Sequence, residues 1–169
     1  VERAQGGILF IDEAYNLFVA DDGKDPGRDV IDSLLTVLAD ESKKDWMLVL
    51  AGYPQQMENM VNCNPGLKSR LPHVFHFSDY DAAQLIQIAQ LYFKEHVYTL
   101  TEEAHKHLRN VISKAYASRG RNFENARYVV NLIETVILKK MGQRLTGLAN
   151  PTWEELTTVT AQDIPSIST

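Results

Sequence analysis

The stretch Gly6–Tyr15 constrains the fold more than any other part of the chain. Its four large apolar residues, Ile8–Ile11, are followed directly by the carboxylates Asp12 and Glu13. A run this short, with apolar residues on both faces, is typical of a buried strand in a parallel sheet. Open α/β sheets bind their ligands at the carboxyl ends of their strands. We therefore expect Asp12 and Glu13 to lie where a ligand would bind.

Two more apolar runs follow, separated by helical patterns. Trp46–Ala51 predicts a second buried strand, and His73–Phe77 predicts a third. Ala20–Gly27 is dense in turn-forming and charged residues and predicts an exposed loop, and Leu67–Pro72 predicts a short turn. Strands that alternate with helices indicate an α/β fold with a parallel, wound sheet.

The pattern becomes helical from Ser78 onward. Asp81 and Gln84 have the spacing of a capping box, and Thr101 is typical of a helix N-cap. Amphipathic helices with short connections form small bundles. We therefore predict two domains, an α/β part at residues 1–78 and a helical part at residues 79–169.

Composition excludes several classes of function. The net charge is −5 and no block of basic residues is present, which argues against a dedicated nucleic-acid surface. Cys63 is the single cysteine, so the chain has no internal disulfide and no cysteine-based zinc site. No apolar stretch approaches the roughly 18 residues of a membrane span. These features predict a cytoplasmic domain, and the abrupt start at a strand predicts a piece of a longer protein.

Four segments resemble the AAA+ ATPase module, in the CbbX/CfxQ-like branch of red-type rubisco activases and stage V sporulation protein K. They occur in the family's order and at about its spacing: Gly6–Tyr15, Leu50–Tyr53, Asn64–Arg70 and Phe123–Arg127. The resemblance implies a partial P-loop NTPase core, with three strands of its parallel sheet, followed by an α-helical lid subdomain.

The resemblance gives Asp12 and Glu13 the positions of the Walker B acids. It implies that Asp12 holds Mg²⁺, mostly through water, and that Glu13 orients and polarises the attacking water. An acid that holds a metal beside one that handles water suits hydrolysis of a nucleoside triphosphate, in which positioning and charge carry the catalysis. The alternative is that both acids cap the following helix.

The resemblance also assigns roles to Arg70 and Tyr53. Arg70 matches the arginine finger, which reaches the γ-phosphate bound by the neighbouring subunit. A guanidinium stays charged and pairs with phosphate oxygens through a planar fork. Tyr53 stands at the sensor 1 position, where AAA+ proteins usually carry a small polar residue. The alternative for Arg70 is a solvated surface arginine, and the alternative for Tyr53 is a packed aromatic ring.

Arg127 matches the sensor 2 arginine of the lid, and the same segment places Asn125 among the nucleotide-binding residues. Arg127 would fold back on the phosphates of its own subunit and couple the state of the nucleotide to the lid angle. The alternative is a salt bridge from Arg127 to Glu124 or Glu134.

The function implied by the resemblance is that of a hexameric ATPase that remodels a protein client, with ATP and Mg²⁺ as cofactors. No Gly-x-x-x-x-Gly-Lys-Ser/Thr sequence is present, so the phosphate-binding loop is missing from these 169 residues. We therefore expect this piece to be inactive alone and to need the rest of its protein. The alternative is a non-catalytic scaffold or oligomerisation module, and the acidic balance weakens a DNA-handling role.

Overall fold

The computed structural model describes residues 2–17, 26–40, 45–120 and 123–166. The chain divides into two compact units, Val1–Phe77 and Ser78–Thr169, and each unit has its own apolar core. Most of the loop predicted at Ala20–Gly27 lies outside the described residues, but Pro26 and Gly27 already belong to a helix.

The described residues of the first unit form a parallel pair of strands and three α-helices. Strand β1 (Ile8–Ile11) pairs with β2 (Met47–Leu50), in a register that sets Ile8 opposite Met47 and Ile11 opposite Leu50. The helices are α1 (Pro26–Ala39), α2 (Pro54–Cys63) and α3 (Pro65–Arg70), and a 3₁₀ turn spans Ala14–Leu17. The predicted order of strands and helices is therefore confirmed up to the end of β2.

One face of this small sheet is covered and the other is exposed. Ile11 and Leu50 pack against the core of the unit. Ile8, Phe10 and Met47, which alternate with the covered residues, are 64%, 59% and 60% exposed. The prediction of a strand buried on both faces is therefore wrong for these described residues, because helices cover the sheet on one side only.

The third predicted strand does not form. Within the described ranges, residues 73–77 take part in no ladder, and the side chains of Val74, Phe75 and Phe77 are 73%, 80% and 95% exposed. An apolar sequence favours a strand, but a strand exists only where a neighbour supplies hydrogen-bonding partners. The described residues of the first unit therefore form a sheet of two strands instead of the three predicted.

The turn predicted at Leu67–Pro72 is also wrong, because most of it belongs to α3. Asn64 caps this helix, since its Oδ1 accepts a hydrogen bond from the Leu67 N–H at 3.2 Å. Pro65 occupies the first helical position, where its missing N–H is not needed. Leu67 is buried in the core of the unit and seats the helix.

The second unit is mainly helical, as predicted. Its α-helices are α4 (Ala82–Glu95), α5 (Glu102–Ala117), α6 (Ala126–Asn131), α7 (Leu138–Leu145) and α8 (Trp153–Thr157), and a π-helical segment, Leu132–Ile137, joins α6 to α7. Strands β3 (Thr99–Leu100) and β4 (Thr158–Val159) form a short parallel pair. The capping box of Asp81 and Gln84 and the Thr101 cap are confirmed. No helix in the described ranges is long and apolar enough to cross a membrane.

A buried ion pair joins the end of α7 to the last described turn. Asp163 is 1% exposed, and the Arg144 guanidinium holds its carboxylate through Nε and Nη2 at 2.9 and 3.0 Å. Burial alone would raise the pKa of Asp163, but hydrogen bonds from Arg144 and Thr160 outweigh burial and hold this pKa below its ordinary value. The pair also fixes the backbone, because Arg144 Nη2 donates to the Thr158 carbonyl at 3.0 Å.

Helix α4 ends in a Schellman motif that carries an unfavourable residue. The Tyr98 N–H bonds to the Phe93 carbonyl and the Val97 N–H to the Lys94 carbonyl, and the Phe93 and Tyr98 rings meet edge to face. Val97 occupies the left-handed position with φ of 62° and is 64% exposed. A β-branched side chain is strained in this conformation, and glycine is not.

We expect Val97→Gly to stabilise the chain. The left-handed conformation costs a non-glycine residue about 1–2 kcal/mol, and the greater freedom of glycine in the unfolded chain offsets about 0.5–1 kcal/mol of the gain. A net increase of roughly 0.5–1 kcal/mol in the free energy of unfolding follows. Urea unfolding followed by circular dichroism would measure it. Val97→Ala is the control, since alanine keeps the strained Cβ, and a glycine variant no more stable than the alanine variant would contradict the prediction.

Candidate functional site

The carboxyl ends of β1 and β2 lie at the same edge of the sheet, because the strands are parallel and in register. Asp12 and Glu13 follow β1, and Tyr53 follows β2 within three residues. The structure therefore brings these three predicted site residues to one edge. Asp12 and Tyr53 are exposed there, and Glu13 is partly buried.

Ala51 holds the segment that carries the two acids. Its N–H donates to the Ile11 carbonyl at 2.9 Å, and its carbonyl accepts from the Ala14 N–H at 2.9 Å. The residues before Asp12 and after Glu13 are thus both bonded to one residue of the neighbouring strand segment. This double attachment fixes the backbone on either side of the acids.

Glu13 has an unusual backbone conformation. Its φ is 49°, in the left-handed region, where a non-glycine residue is held at a cost of order 1–3 kcal/mol. Its N–H donates to Asp12 Oδ1 at 3.0 Å, so the two acids are linked by a local hydrogen bond. Strained residues of this kind concentrate at functional sites, where the surrounding structure determines their conformation.

Gly52 allows the two strand ends to pack closely. A Cβ atom at this position would lie 2.8 Å from Tyr15 Cδ1 and 2.8 Å from Met57 Sδ. Tyr15 follows the acids by two residues, and its ring lies 6.2 Å from the ring of Tyr53, centroid to centroid. Tyr53 therefore has an aromatic neighbour at the sheet edge, although its own ring is 60% exposed.

Arg70 is the last residue of helix α3, which belongs to the same unit. A Cβ atom on Gly66 would come within 3.0 Å of Leu35 Cδ1, so α3 sits tightly against α1. The Arg70 side chain is exposed, and its Nη1 donates to the Gly66 carbonyl at 3.3 Å. Among the described residues, Arg70 makes no hydrogen bond or ion pair with Asp12 or Glu13. The helix presents the guanidinium to solvent.

Arg127 stands in the first turn of α6, in the second unit. Its side chain is exposed, and its N–H donates to the Glu124 carbonyl at 3.1 Å. The alternative of a salt bridge to Glu124 or Glu134 is not observed in the part of the chain that the structure describes. Glu124 Oε2 accepts from Asn131 at 3.1 Å, and Glu134 Oε1 accepts from the Tyr92 hydroxyl at 2.8 Å.

The guanidinium of Arg119, close by in sequence, is already engaged. It stacks on the Tyr116 ring, with Cζ 3.7 Å from the centroid, and Nη1 donates to the Tyr116 carbonyl at 2.8 Å. Arg121 lies outside the described residues. Of the arginines that the structure describes near this turn, Arg127 is the better placed to meet a ligand.

The side chain of Asn125 is also engaged. Its Oδ1 accepts from the Tyr80 N–H at 3.0 Å and its Nδ2 donates to the Tyr80 carbonyl at 2.9 Å. The sequence did not indicate this contact, because 45 residues separate the partners. Gly52 and Tyr15 were also missed as packing partners, although both lie inside segments that carry the resemblance.

The donor groups fit a magnesium nucleotide only in part. An exposed carboxylate such as Asp12 suits Mg²⁺, which keeps several waters and takes its other ligands from phosphates. The exposed guanidinium groups of Arg70 and Arg127 suit phosphate oxygens. The glycine-rich cradle for the phosphates is absent from the 169 residues. In the described ranges, no three His, Cys, Asp or Glu side chains are grouped closely enough to hold a metal ion by themselves.

Comparison with known proteins gives concordant matches. The AAA lid domain family matches residues 81–169. Over 166 residues the chain is 37% identical to a protein CfxQ homolog of Galdieria sulphuraria, covering 97% of this chain and 53% of that protein. Protein CbbX of Cereibacter sphaeroides is 36% identical over 168 residues, covering 97% and 52%. Stage V sporulation protein K of Bacillus subtilis is 35% identical over 165 residues, covering 97% and 50%. The chain therefore spans about half the length of the curated relatives it matches.

Proposed function

The chain belongs to the AAA+ ATPase family, in the CbbX/CfxQ-like branch, and from this premise we propose that it works within a ring-forming ATPase that remodels a protein client. In this proposal residues 1–78 are the second half of the α/β core and residues 79–169 are the lid. The ring is a cytoplasmic hexamer of identical subunits, and it acts on a protein instead of a nucleic acid.

The carboxyl edge of the β1–β2 pair is the observation that carries the proposal. Two acids follow one strand there, in a backbone conformation that Ala51 holds from both sides. Asp12 would bind Mg²⁺, mostly through water. Glu13 would accept a hydrogen bond from a water molecule, orient it and draw its proton as the water attacks.

The two arginines extend the site beyond this edge. Arg70, at the exposed end of α3, would stabilise the charge on a γ-phosphate bound by the next subunit. Arg127 would contact the phosphates bound by its own subunit, which ties the lid to the state of the nucleotide. Tyr53 would line the edge beside the acids, close to the nucleotide.

ATP and Mg²⁺ are the cofactors that this donor set fits best. ATP supplies the γ-phosphoryl group, and Mg²⁺ neutralises the charge that develops on it. The phosphate-binding loop must come from elsewhere in the longer polypeptide, since these 169 residues lack the sequence. Absence of that loop from the longer polypeptide would favour the second candidate, a scaffold or oligomerisation module that binds no nucleotide productively.

The experiment that separates the two candidates uses the longer polypeptide that contains this chain. We expect phosphate release from ATP that requires Mg²⁺ and that rises more steeply than linearly with protein concentration as rings form. Malachite-green assays at several protein concentrations, beside light scattering, would measure both quantities. A polypeptide that assembles but releases no phosphate with Mg²⁺ would support the scaffold instead.

A further inference from the structure

The Asn125 side chain forms two hydrogen bonds with the backbone of Tyr80, as the backbone of a neighbouring strand would. Its Oδ1 accepts from the Tyr80 N–H at 3.0 Å, and its Nδ2 donates to the Tyr80 carbonyl at 2.9 Å. A carboxamide presents one acceptor and two donors, so a single asparagine satisfies the donor and the acceptor of one residue at once. Both polar atoms of the Asn125 amide therefore already have a partner in Tyr80.

The backbone of Asn125 is strained, and its own helix receives no cap from it. Its φ of 52° and ψ of −116° match the first central position of a type II′ turn, a position that favours glycine. Asparagine at a helix start normally accepts a hydrogen bond from the first turn, but the Asn125 side chain makes no such bond to α6. The side chain is directed to Tyr80 instead, which offsets the cost of the turn.

This turn carries Arg127. The hydrogen bond from the Arg127 N–H to the Glu124 carbonyl closes it, so Arg127 is the last of its four residues. Tyr80 lies two residues after the start of the second unit at Ser78, directly before Asp81, which caps α4. The two hydrogen bonds therefore join the entry of α4 to the turn from which the Arg127 side chain projects.

We propose that Asn125 is a positioning residue: its hydrogen bonds to Tyr80 hold the turn that aims Arg127, and Asn125 does not itself contact the nucleotide. This inference rests on the proposed function of Arg127, and it replaces the nucleotide contact that the family resemblance assigns to Asn125. Because the two hydrogen bonds join Tyr80 to this turn, a displacement of the backbone at the start of α4 would also displace Arg127.

The first arm of the test measures the Tyr80 contact itself. Asn125→Gly removes the amide but accepts the turn conformation, and Asn125→Asp keeps an acceptor while placing a carboxylate oxygen against the Tyr80 carbonyl. We expect Asn125→Gly to speed hydrogen exchange of the Tyr80 amide by about tenfold, the effect of losing one modest hydrogen bond, and Asn125→Asp, which keeps the acceptor for this amide, to change its exchange less. The control is Asn110→Ala on the exposed face of α5, which should leave Tyr80 unchanged. Unchanged Tyr80 exchange in the Asn125→Gly variant would overturn the proposal.

The second arm is a double-mutant cycle in the longer polypeptide. Asn125→Gly alone should lower kcat for ATP roughly 10- to 100-fold, the range expected when a catalytic group is misplaced. In an Arg127→Ala background the same change should have little further effect, because its target is gone. Effects that simply multiply, or a KM change that persists without Arg127, would overturn the proposal. Absence of ATP turnover in the parent would instead contradict the proposed function, while the Tyr80 exchange arm would still decide whether the contact holds the turn.

Discussion

Glu13→Gln in the longer polypeptide is expected to lower the turnover of ATP by about 10²–10⁴-fold, the usual contribution of a general base. Glutamine has nearly the same shape but cannot accept a proton at neutral pH. The left-handed backbone at this position costs glutamine and glutamate the same, so the local structure is expected to persist. The loss of activity would therefore report chemistry instead of misfolding.

Two measurements separate this effect from a loss of binding. ATP affinity, measured with a fluorescent analogue, should stay within about threefold of the parent, because the lost interaction belongs to the transition state. Glu58→Gln on α2 is the matched control, since Glu58 is also a glutamate of the first unit and is exposed. Turnover that survives in the Glu13→Gln variant would remove Glu13 from the mechanism.

Arg70→Ala is expected to reduce turnover by roughly 10³–10⁵-fold, the effect attributed to an arginine finger. The exposed guanidinium makes a single long hydrogen bond among the described residues, to the Gly66 carbonyl of its own helix, so its removal should cost little stability. Lys68→Ala on the same helix is the control. Its ammonium bonds to Asn62 at 3.1 Å and is exposed as well, and its loss should leave turnover close to that of the parent.

Mixing two inactive variants shows in which subunit Arg70 acts. A ring of Arg70→Ala and Glu13→Gln subunits contains interfaces where intact acids face an intact arginine of the neighbour. If Arg70 acts across the interface, the mixture should recover part of the turnover that each variant lacks. A mixture as inactive as its components, with mixed rings shown by native mass spectrometry, would place the role of Arg70 within its own subunit.

Local patterns predicted the elements that depend on few residues. Ile8–Ile11 forms the predicted strand, and the capping box of Asp81 and Gln84 forms with both hydrogen bonds. These features arise from neighbours in sequence, where propensity and capping geometry decide the outcome. The family to which the chain belongs was also predicted, because its motifs are short segments with a recognisable order.

The failures concern interactions that one segment cannot determine. Residues 73–77 have the composition of a strand, but no described strand pairs with them, and pairing is a property of two segments. A short turn was predicted at Leu67–Pro72, whereas Asn64 as N-cap and Pro65 at the first position begin α3. The capping signal is therefore present in the sequence, although a Pro-Gly pair is also typical of a turn.

In the candidate site, too, features that depend on local sequence were predicted and a contact between distant segments was not. The positions of Asp12, Glu13 and Tyr53 at one sheet edge follow from the parallel order of β1 and β2, which the sequence predicts. The contact between Asn125 and Tyr80 could not be predicted, because nothing in either residue identifies its partner 45 positions away. The roles of Arg70 and Arg127 stay predictions that the experiments above address.

The two hydrogen bonds of Ala51 have a mechanical consequence. They close a ring that runs from Ile11 through Asp12 and Glu13 to Ala14 and back through a single residue of the neighbouring segment. A closed linkage of this kind has few internal degrees of freedom, so the backbone of the two acids cannot shift independently of Ala51. A displacement of the segment after β2 would therefore move the backbone of both acids together, relative to the strand pair.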